Sequence, residues 1–222
     1  MPFNVAVFEA HDYRPSMRRF FAATRRAPDL LIDADLPVGA VVLDVGAYEG
    51  EWARRILERA DARGPVDLRL HAFEPEQRVA QRLGESMRDD HRFRLHPFGL
   101  AGRDRVEVMT VAGMGTSQYA DPRAPVDFGT MEVPLRDVHA VLSALEVDRI
   151  DLMKVNIEGG EFELIDRLHA TGWLPRTGTV IVQFHEFAPG AYRGRRRNRR
   201  QLAETHRCTW SYPWVYERWD PR

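Results

Sequence analysis

The sequence predicts a single doubly wound α/β domain built on a mostly parallel sheet, and three observations lead there. Short apolar, valine-rich runs recur along the chain, stretches of helical composition alternate with them, and an acid-plus-glycine turn closes the first run. A strand buried on both faces reads as a near-continuous apolar run, and strand, helix, strand alternation implies right-handed crossovers into a parallel sheet. With 222 residues, 44% of them hydrophobic, the chain can bury roughly 70% of its unfolded surface, which suits one domain.

Taken in order, residues 1 to 38 are expected to form an N-terminal helical cap or lid. Its helix should cover Arg14 to Arg26, where Met17, Phe20 and Phe21 recur near helical spacing. Residues 39 to 222 form the α/β domain. The run AVVLDVGA from Ala40 to Ala47 is its first central strand, Glu51 to Ala62 a helix, Asp67 to Phe73 a strand and Glu76 to Met87 a helix. A third strand is expected near Arg92 to Pro97 and a further one at Val106 to Val111. Between Gly113 and Phe128 the chain is Gly-, Pro- and Asp-rich, which predicts a loop over the site. The alternation then continues with a helix over Val138 to Leu145, a strand over Ile150 to Asn156, a helix over Glu161 to Ala170 and a strand over Thr179 to Phe184. Aromatic and polar residues alternate around Pro213 from Thr209 to Trp219, which predicts a terminal antiparallel hairpin and completes a seven-stranded sheet.

Charge and cysteine content narrow the setting. Arg and Lys total 32 against 33 Asp and Glu, a net charge of -1 that gives no global attraction to nucleic acid or anionic membrane. The single cysteine, Cys208, allows no intramolecular disulfide, the N-terminal residues lack the apolar core of a signal peptide, and no apolar run approaches the roughly 20 residues of a membrane span. A soluble protein of the reducing cytoplasm is expected. Lys154 is the only lysine in a chain whose other basic side chains are arginines. Unlike a guanidinium, an ammonium can lose its proton, so Lys154 is a candidate for chemistry.

Three clusters carry the candidate site. Asp44-Val45-Gly46-Ala47-Tyr48-Glu49-Gly50 closes the first strand and opens the first helix of the domain, at the sheet edge where cofactors bind. A dinucleotide fold has glycine at the first position of this turn, because a diphosphate must approach the backbone. A carboxylate there repels a diphosphate but attracts a cationic ammonium, which favours S-adenosylmethionine over NAD. Glycine in such a turn is also needed for purely steric reasons. Glu74, in Phe73-Glu74-Pro75, ends the second strand about where an acid accepts the ribose hydroxyls of an adenosine cofactor. A solvated acid near a helix N-terminus would also be stabilised by the helix dipole.

The third cluster is Lys154-Val155-Asn156-Ile157-Glu158-Gly159-Gly160-Glu161. With Asp44 to Gly50 and Phe73-Glu74-Pro75, the stretch Ile150 to Glu161 resembles the FkbM-like methyltransferases, whose motif here commonly runs K-(I/V)-D-(V/I)-E-G-(A/G)-E. The resemblance covers roughly Val41 to Phe187. It implies a Rossmann-like class I methyltransferase fold, S-adenosylmethionine as cofactor and O-methylation of a substrate. Cofactor contacts are accordingly expected at Asp44, Gly46, Tyr48, Glu49, Gly50, Glu74, Pro75, Gly99, Leu100 and Asn156. Asn156 stands where the family commonly has aspartate, and a neutral amide supplies no charge for a metal-binding or basic role.

His185, in Val182-Gln183-Phe184-His185-Glu186, ends the last central strand at the cofactor edge. With an ordinary pKa of about 6.5 it would have a usable neutral fraction and is the expected proton acceptor, with Glu158, Glu186 and Lys154 as alternatives. A divalent ion on Asn156, Glu158 and His185 would match no recognised metal signature, and no metal is expected. The run Arg193-Gly194-Arg195-Arg196-Arg197-Asn198-Arg199-Arg200 follows this edge. Such a run forms a solvated face or recruits an anionic substrate, since Arg presents a bidentate fork to phosphate. Nucleic acid is a weaker expectation, because no nucleic-acid-binding module accompanies the run. The acceptor class is therefore a hydroxyl on a small polar molecule, a sugar or a phosphorylated intermediate. The rivals are a non-catalytic cofactor-binding module and an NAD-linked oxidoreductase or epimerase.

Overall fold

A computed structural model describes residues 5–64, 67–112, 115–117 and 129–222. The chain begins with helix α1 (Val5–Arg26), then β1 (Ala40–Val45), α2 (Glu51–Ala62), β2 (Leu68–Phe73), α3 (Gln77–Met87) and β3 (Phe93–His96). A second group of strands follows: β4 (Gly99–Ala101), β5 (Arg105–Ala112), β6 (Gly115–Ser117) and β7 (Thr130–Asp137). The alternation resumes with α4 (Val138–Ala144), β8 (Ile150–Val155), α5 (Glu161–Ala170), β9 (Thr177–Val182) and α6 (Ala191–Ala203). It closes on a hairpin of β10 (His206–Tyr212) and β11 (Tyr216–Pro221).

All six residues of β1 are buried because the strand lies at the middle of the sheet. Val41, Leu43 and Val45 join the core with Leu164, Ile165 and Leu168 of α5, while Ala40 and Val42 join a second core with Ala53, Ile56 and Leu57 of α2. Two helical layers therefore sandwich one sheet, which is why β1 is apolar at every position except Asp44. The order is β10-β11-β9-β8-β1-β2-β3, with β1, β2, β3, β8 and β9 parallel and β11 antiparallel to both its neighbours. The fold is the seven-stranded Rossmann-like arrangement that the alternation predicts. From β1 the chain winds one way to β3 and later re-enters on the other side of β1 at β8. The crevice between the carboxyl ends of β1 and β8 is thus the switch point, where such sheets bind ligands.

Several local expectations are corrected. The strand at Val106 to Val111 lies in a separate four-stranded sheet, order β4-β7-β5-β6, whose β4 and β7 the sequence did not announce. β4 has only three residues, and Pro134 interrupts the pattern of β7. The N-terminal helix starts at Val5, passing through Pro15. The arginine run lies within a thirteen-residue helix, α6. The loop expected over Gly113 to Phe128 lies outside the described residues except for β6.

Candidate active site

The turn after β1 is built by tight packing against the turn after β8. Gly46 has φ 82°, and a Cβ there would lie 1.9 Å from the carbonyl oxygen of Asn156, whose own N–H donates to the Val45 carbonyl at 2.9 Å. Gly50 also has positive φ, and a Cβ on it would meet Leu83 Cδ1 at 2.4 Å. Both glycines are therefore demanded sterically by the strand-to-helix turn.

Beside this turn a cleft of about 860 Å³, partly open to solvent, is walled by Gly46, Tyr48, Glu74, Pro75, Gly99, Leu100, Asn156 and Glu158. Phe73, Leu135, Met109 and Ile157 supply apolar walls. The second sheet closes one side, where Arg105 makes a bidentate pair with Glu163 at 3.0 and 2.9 Å. Neither Arg105 nor Glu163 was legible as a site residue in the sequence.

Glu74 is buried, with Oε2 accepting from the Tyr48 N–H at 2.8 Å and Oε1 from the Glu76 N–H at 2.9 Å. Burial pushes its carboxyl up, and the two backbone donors pull it down. Each oxygen retains a second lone pair, so the group is oriented and still able to accept from a vicinal diol. Asn156 Oδ1 is buried with no hydrogen-bond partner among the described residues. A slot with apolar walls, a fixed carboxylate and an unused amide oxygen fits adenosine, its ribose and an ammonium group.

Of the four non-glycine residues with positive φ among the described residues, Tyr48 at 49° and Glu158 at 51° both line this cleft. Strain of this kind concentrates where side-chain or backbone direction serves a site.

Asp44 and Lys154 are brought together beneath the cleft rather than in its wall. Lys154 Nζ donates to Asp44 Oδ1 at 2.9 Å and to the Gly46 carbonyl at 2.6 Å. Burial is the largest influence and disfavours charge on Lys154, but Asp44, Tyr216 and Glu74 together outweigh it and lift the lysine above its ordinary pKa. The geometry gives two of the expected residues a different setting. The Asp44 charge is matched by Lys154 instead of facing an incoming ammonium, and Lys154 holds its proton more firmly than an ordinary lysine.

His185 stands away from the cleft. It is buried, with Nδ1 3.3 Å from Glu161 Oε1 and Nε2 3.4 Å from Glu158 Oε2. Burial opposes its charge, yet the two carboxylates raise its pKa to about 10. At neutral pH it is an imidazolium and does not line the cleft. Glu161, fully buried at the start of α5, also accepts from the backbone N–H groups of His185 at 2.7 Å and Gly159 at 2.9 Å, tying the two turns together. Glu186 is buried but outside the cleft wall, and Glu49 is exposed beside it. Tyr216, at the start of β11, was read in the sequence only as part of an aromatic hairpin, packing or stacking on a sugar. Burial raises its phenol, with Lys154, Asp44, Glu158 and Asn156 as the electrostatic neighbours.

A seven-stranded Rossmann-like sheet with its cleft at the switch point, the Glu74 carboxylate standing just past the second strand, is the arrangement of class I methyltransferases, which use S-adenosylmethionine. The chain belongs to the FkbM methyltransferase family: the model described as "Methyltransferase FkbM domain" matches residues 44–202. A methyltransferase FkbM of known structure from Methylobacillus flagellatus KT superposes with TM-score 0.53 at 13% identity, covering 85% of this chain and 45% of that one. A curated relative, the AMB antimetabolite synthetase AmbE of Pseudomonas aeruginosa, is 25% identical over 197 residues, 72% of this chain. The chain spans 9% of that relative's length. Among the described residues no helix is long and apolar enough to cross a membrane.

Proposed function

We propose that this protein is an O-methyltransferase acting on a hydroxyl of a small polar molecule, a sugar or an anionic biosynthetic intermediate. Glu158 carries the proposal: an acid in the cleft wall with an imidazolium directly behind it. S-adenosylmethionine supplies an electrophilic methyl group on a sulfonium. Glu74 would hold the ribose hydroxyls, the Gly99 and Leu100 backbone the adenine end, and the Asn156 amide oxygen the ammonium.

Glu158 then accepts the proton that the acceptor hydroxyl loses as its oxygen becomes an ether. The charge of His185 fixes the Glu158 carboxylate in place, and Glu161 fixes His185. Most of the acceleration comes from alignment, with proton removal contributing about a hundredfold to ten-thousandfold. Residues 1–38 act as a cap: Phe20 of α1 packs on Tyr212 and Tyr216 with ring centroids 5.5 and 5.6 Å apart, so the helix bears on the hairpin beside the site. Likeness to a section of an antimetabolite synthetase supports a small biosynthetic acceptor.

The test is calorimetry with S-adenosylhomocysteine and NAD, then transfer of labelled methyl to a panel of polyols, sugars and sugar phosphates. Binding of S-adenosylhomocysteine alone, with label found in an alkali-stable ether, supports the proposal. Preferential NAD binding, or label in an amine or a carboxylate ester, overturns it.

A further inference from the structure

The arginine run does not form a uniform positive surface, because α6 divides it. Arg195 and Arg199 converge on Glu217, which is almost fully buried in β11: Arg195 Nε donates to Glu217 Oε1 at 2.8 Å and Arg199 Nη1 to Oε2 at 2.5 Å. Their guanidinium carbons also lie over the rings of Trp214 and Trp219, at 5.1 and 5.0 Å. Arg197 is spent on Asp166 across the gap to α5. Arg196 and Arg200 remain exposed, one helical turn apart, without an ion-pair partner among the described residues.

These two line a groove of about 790 Å³ with Arg195, Arg199, Tyr192 and the two tryptophans. None of its residues belongs to the cofactor cleft. Four arginines stand against one carboxylate, so the groove keeps a strong positive field. Residues at i and i+4 are about 5–6 Å apart, which suits two adjacent phosphates better than a single one. At the end of the groove nearest the carboxyl edge of the sheet, exposed Tyr192 meets Trp214 edge-on, with ring centroids 4.6 Å apart. Trp214 sits in the hairpin turn, between Tyr212 and Tyr216 and just beyond the Glu217 and Val182 pair that ends β9.

We propose that this groove is a binding site for the diphosphate of a nucleoside-diphosphate ligand. Arg196 and Arg200 clasp the phosphates, and Tyr192 stacks on the nucleoside or the sugar it carries. The proposal deepens the functional reading by naming the anionic handle of the acceptor, yet its binding step is measurable without methyl transfer.

The probes are uridine diphosphate, inorganic pyrophosphate and a uridine oligonucleotide, titrated calorimetrically into protein saturated with S-adenosylhomocysteine and into protein alone. Expected results are uridine diphosphate binding in both forms, a loss of at least tenfold in Arg196→Ala/Arg200→Ala, and unchanged S-adenosylhomocysteine affinity in that variant. Tyr192→Ala should weaken uridine diphosphate several-fold and leave pyrophosphate unaffected. No binding of uridine diphosphate at millimolar concentration, equal binding by the double variant, or clear preference for the oligonucleotide overturns the assignment. Failure of S-adenosylhomocysteine to bind would instead overturn the methyltransferase reading, and the titration of protein alone would still test the groove.

Discussion

Two buried ionic clusters stand at the carboxyl edge of the same sheet, and they differ in what they leave open. The Asp44–Lys154 pair is sealed beneath the first turn, with Lys154 also bonded to the Gly46 carbonyl. The Glu161–His185–Glu158 cluster is sealed at Glu161 and open at Glu158, which reaches the cleft wall. Both neutralise charge in the interior, where an unpaired ion is costly. Only the second can exchange a proton with a bound molecule without breaking the fold. Sequence types alone would have ranked the lone lysine and the histidine as the reactive groups, whereas the geometry gives both of them bound protons.

The sharpest test of this contrast is Glu158→Gln, which keeps shape and removes the acceptor. Turnover should fall by about a hundredfold to ten-thousandfold, with S-adenosylhomocysteine affinity nearly unchanged. Wild-type single-turnover rates in this variant would move the proton acceptor elsewhere, first to Glu186. The sealed pair should respond in stability instead. Lys154→Met leaves Asp44 buried and unpaired, a cost of about 3–5 kcal/mol in urea unfolding. Asp44→Leu/Lys154→Met should recover most of that loss and retain cofactor binding, because the pair does not face the cleft. If the repacked variant folds but no longer binds S-adenosylhomocysteine, Asp44 belongs to the cofactor site after all.

Glu74 tests the fit of the cleft to ribose. Glu74→Ala should weaken S-adenosylhomocysteine by about 1.5–3 kcal/mol, the range for hydrogen bonds to a charged group. Calorimetry on the folded variant decides it, and unchanged affinity removes Glu74 from that role.

What the sequence revealed depended on how local each feature is. Glu74 and Glu158 were legible because each stands in the turn at the carboxyl end of a predicted strand, so strand end and sheet edge could be read together. Tyr216 was not, since only the antiparallel pairing of β11 with β9 brings it beside Lys154. The charge state of His185 was equally hidden, because its two carboxylates come from the preceding strand-to-helix turn. Helix α6 escaped notice because it buries Ala191, Gly194, Asn198 and Leu202 at helical spacing, a stripe too small and polar to register as apolar. Gly194 is required there, as a Cβ would lie 2.7 Å from Phe162 Cδ1.

The last test concerns the pH dependence of the open cluster. The folded His185 pKa of about 10 lies above the ordinary value of about 6.5, so the folded state holds a proton that the unfolded state releases. Its stabilising contribution is complete below about pH 6.5 and declines as pH rises through 10. The slope has an upper limit of about 1.4 kcal/mol per pH unit. Urea unfolding between pH 7 and 9.5 should therefore show falling stability. His185→Gln should be less stable at neutral pH, since Glu161 and Glu158 lose their shared cation, and should lack most of this slope. If wild type and variant show parallel pH profiles, His185 is not held as an imidazolium and regains its standing as a proton acceptor.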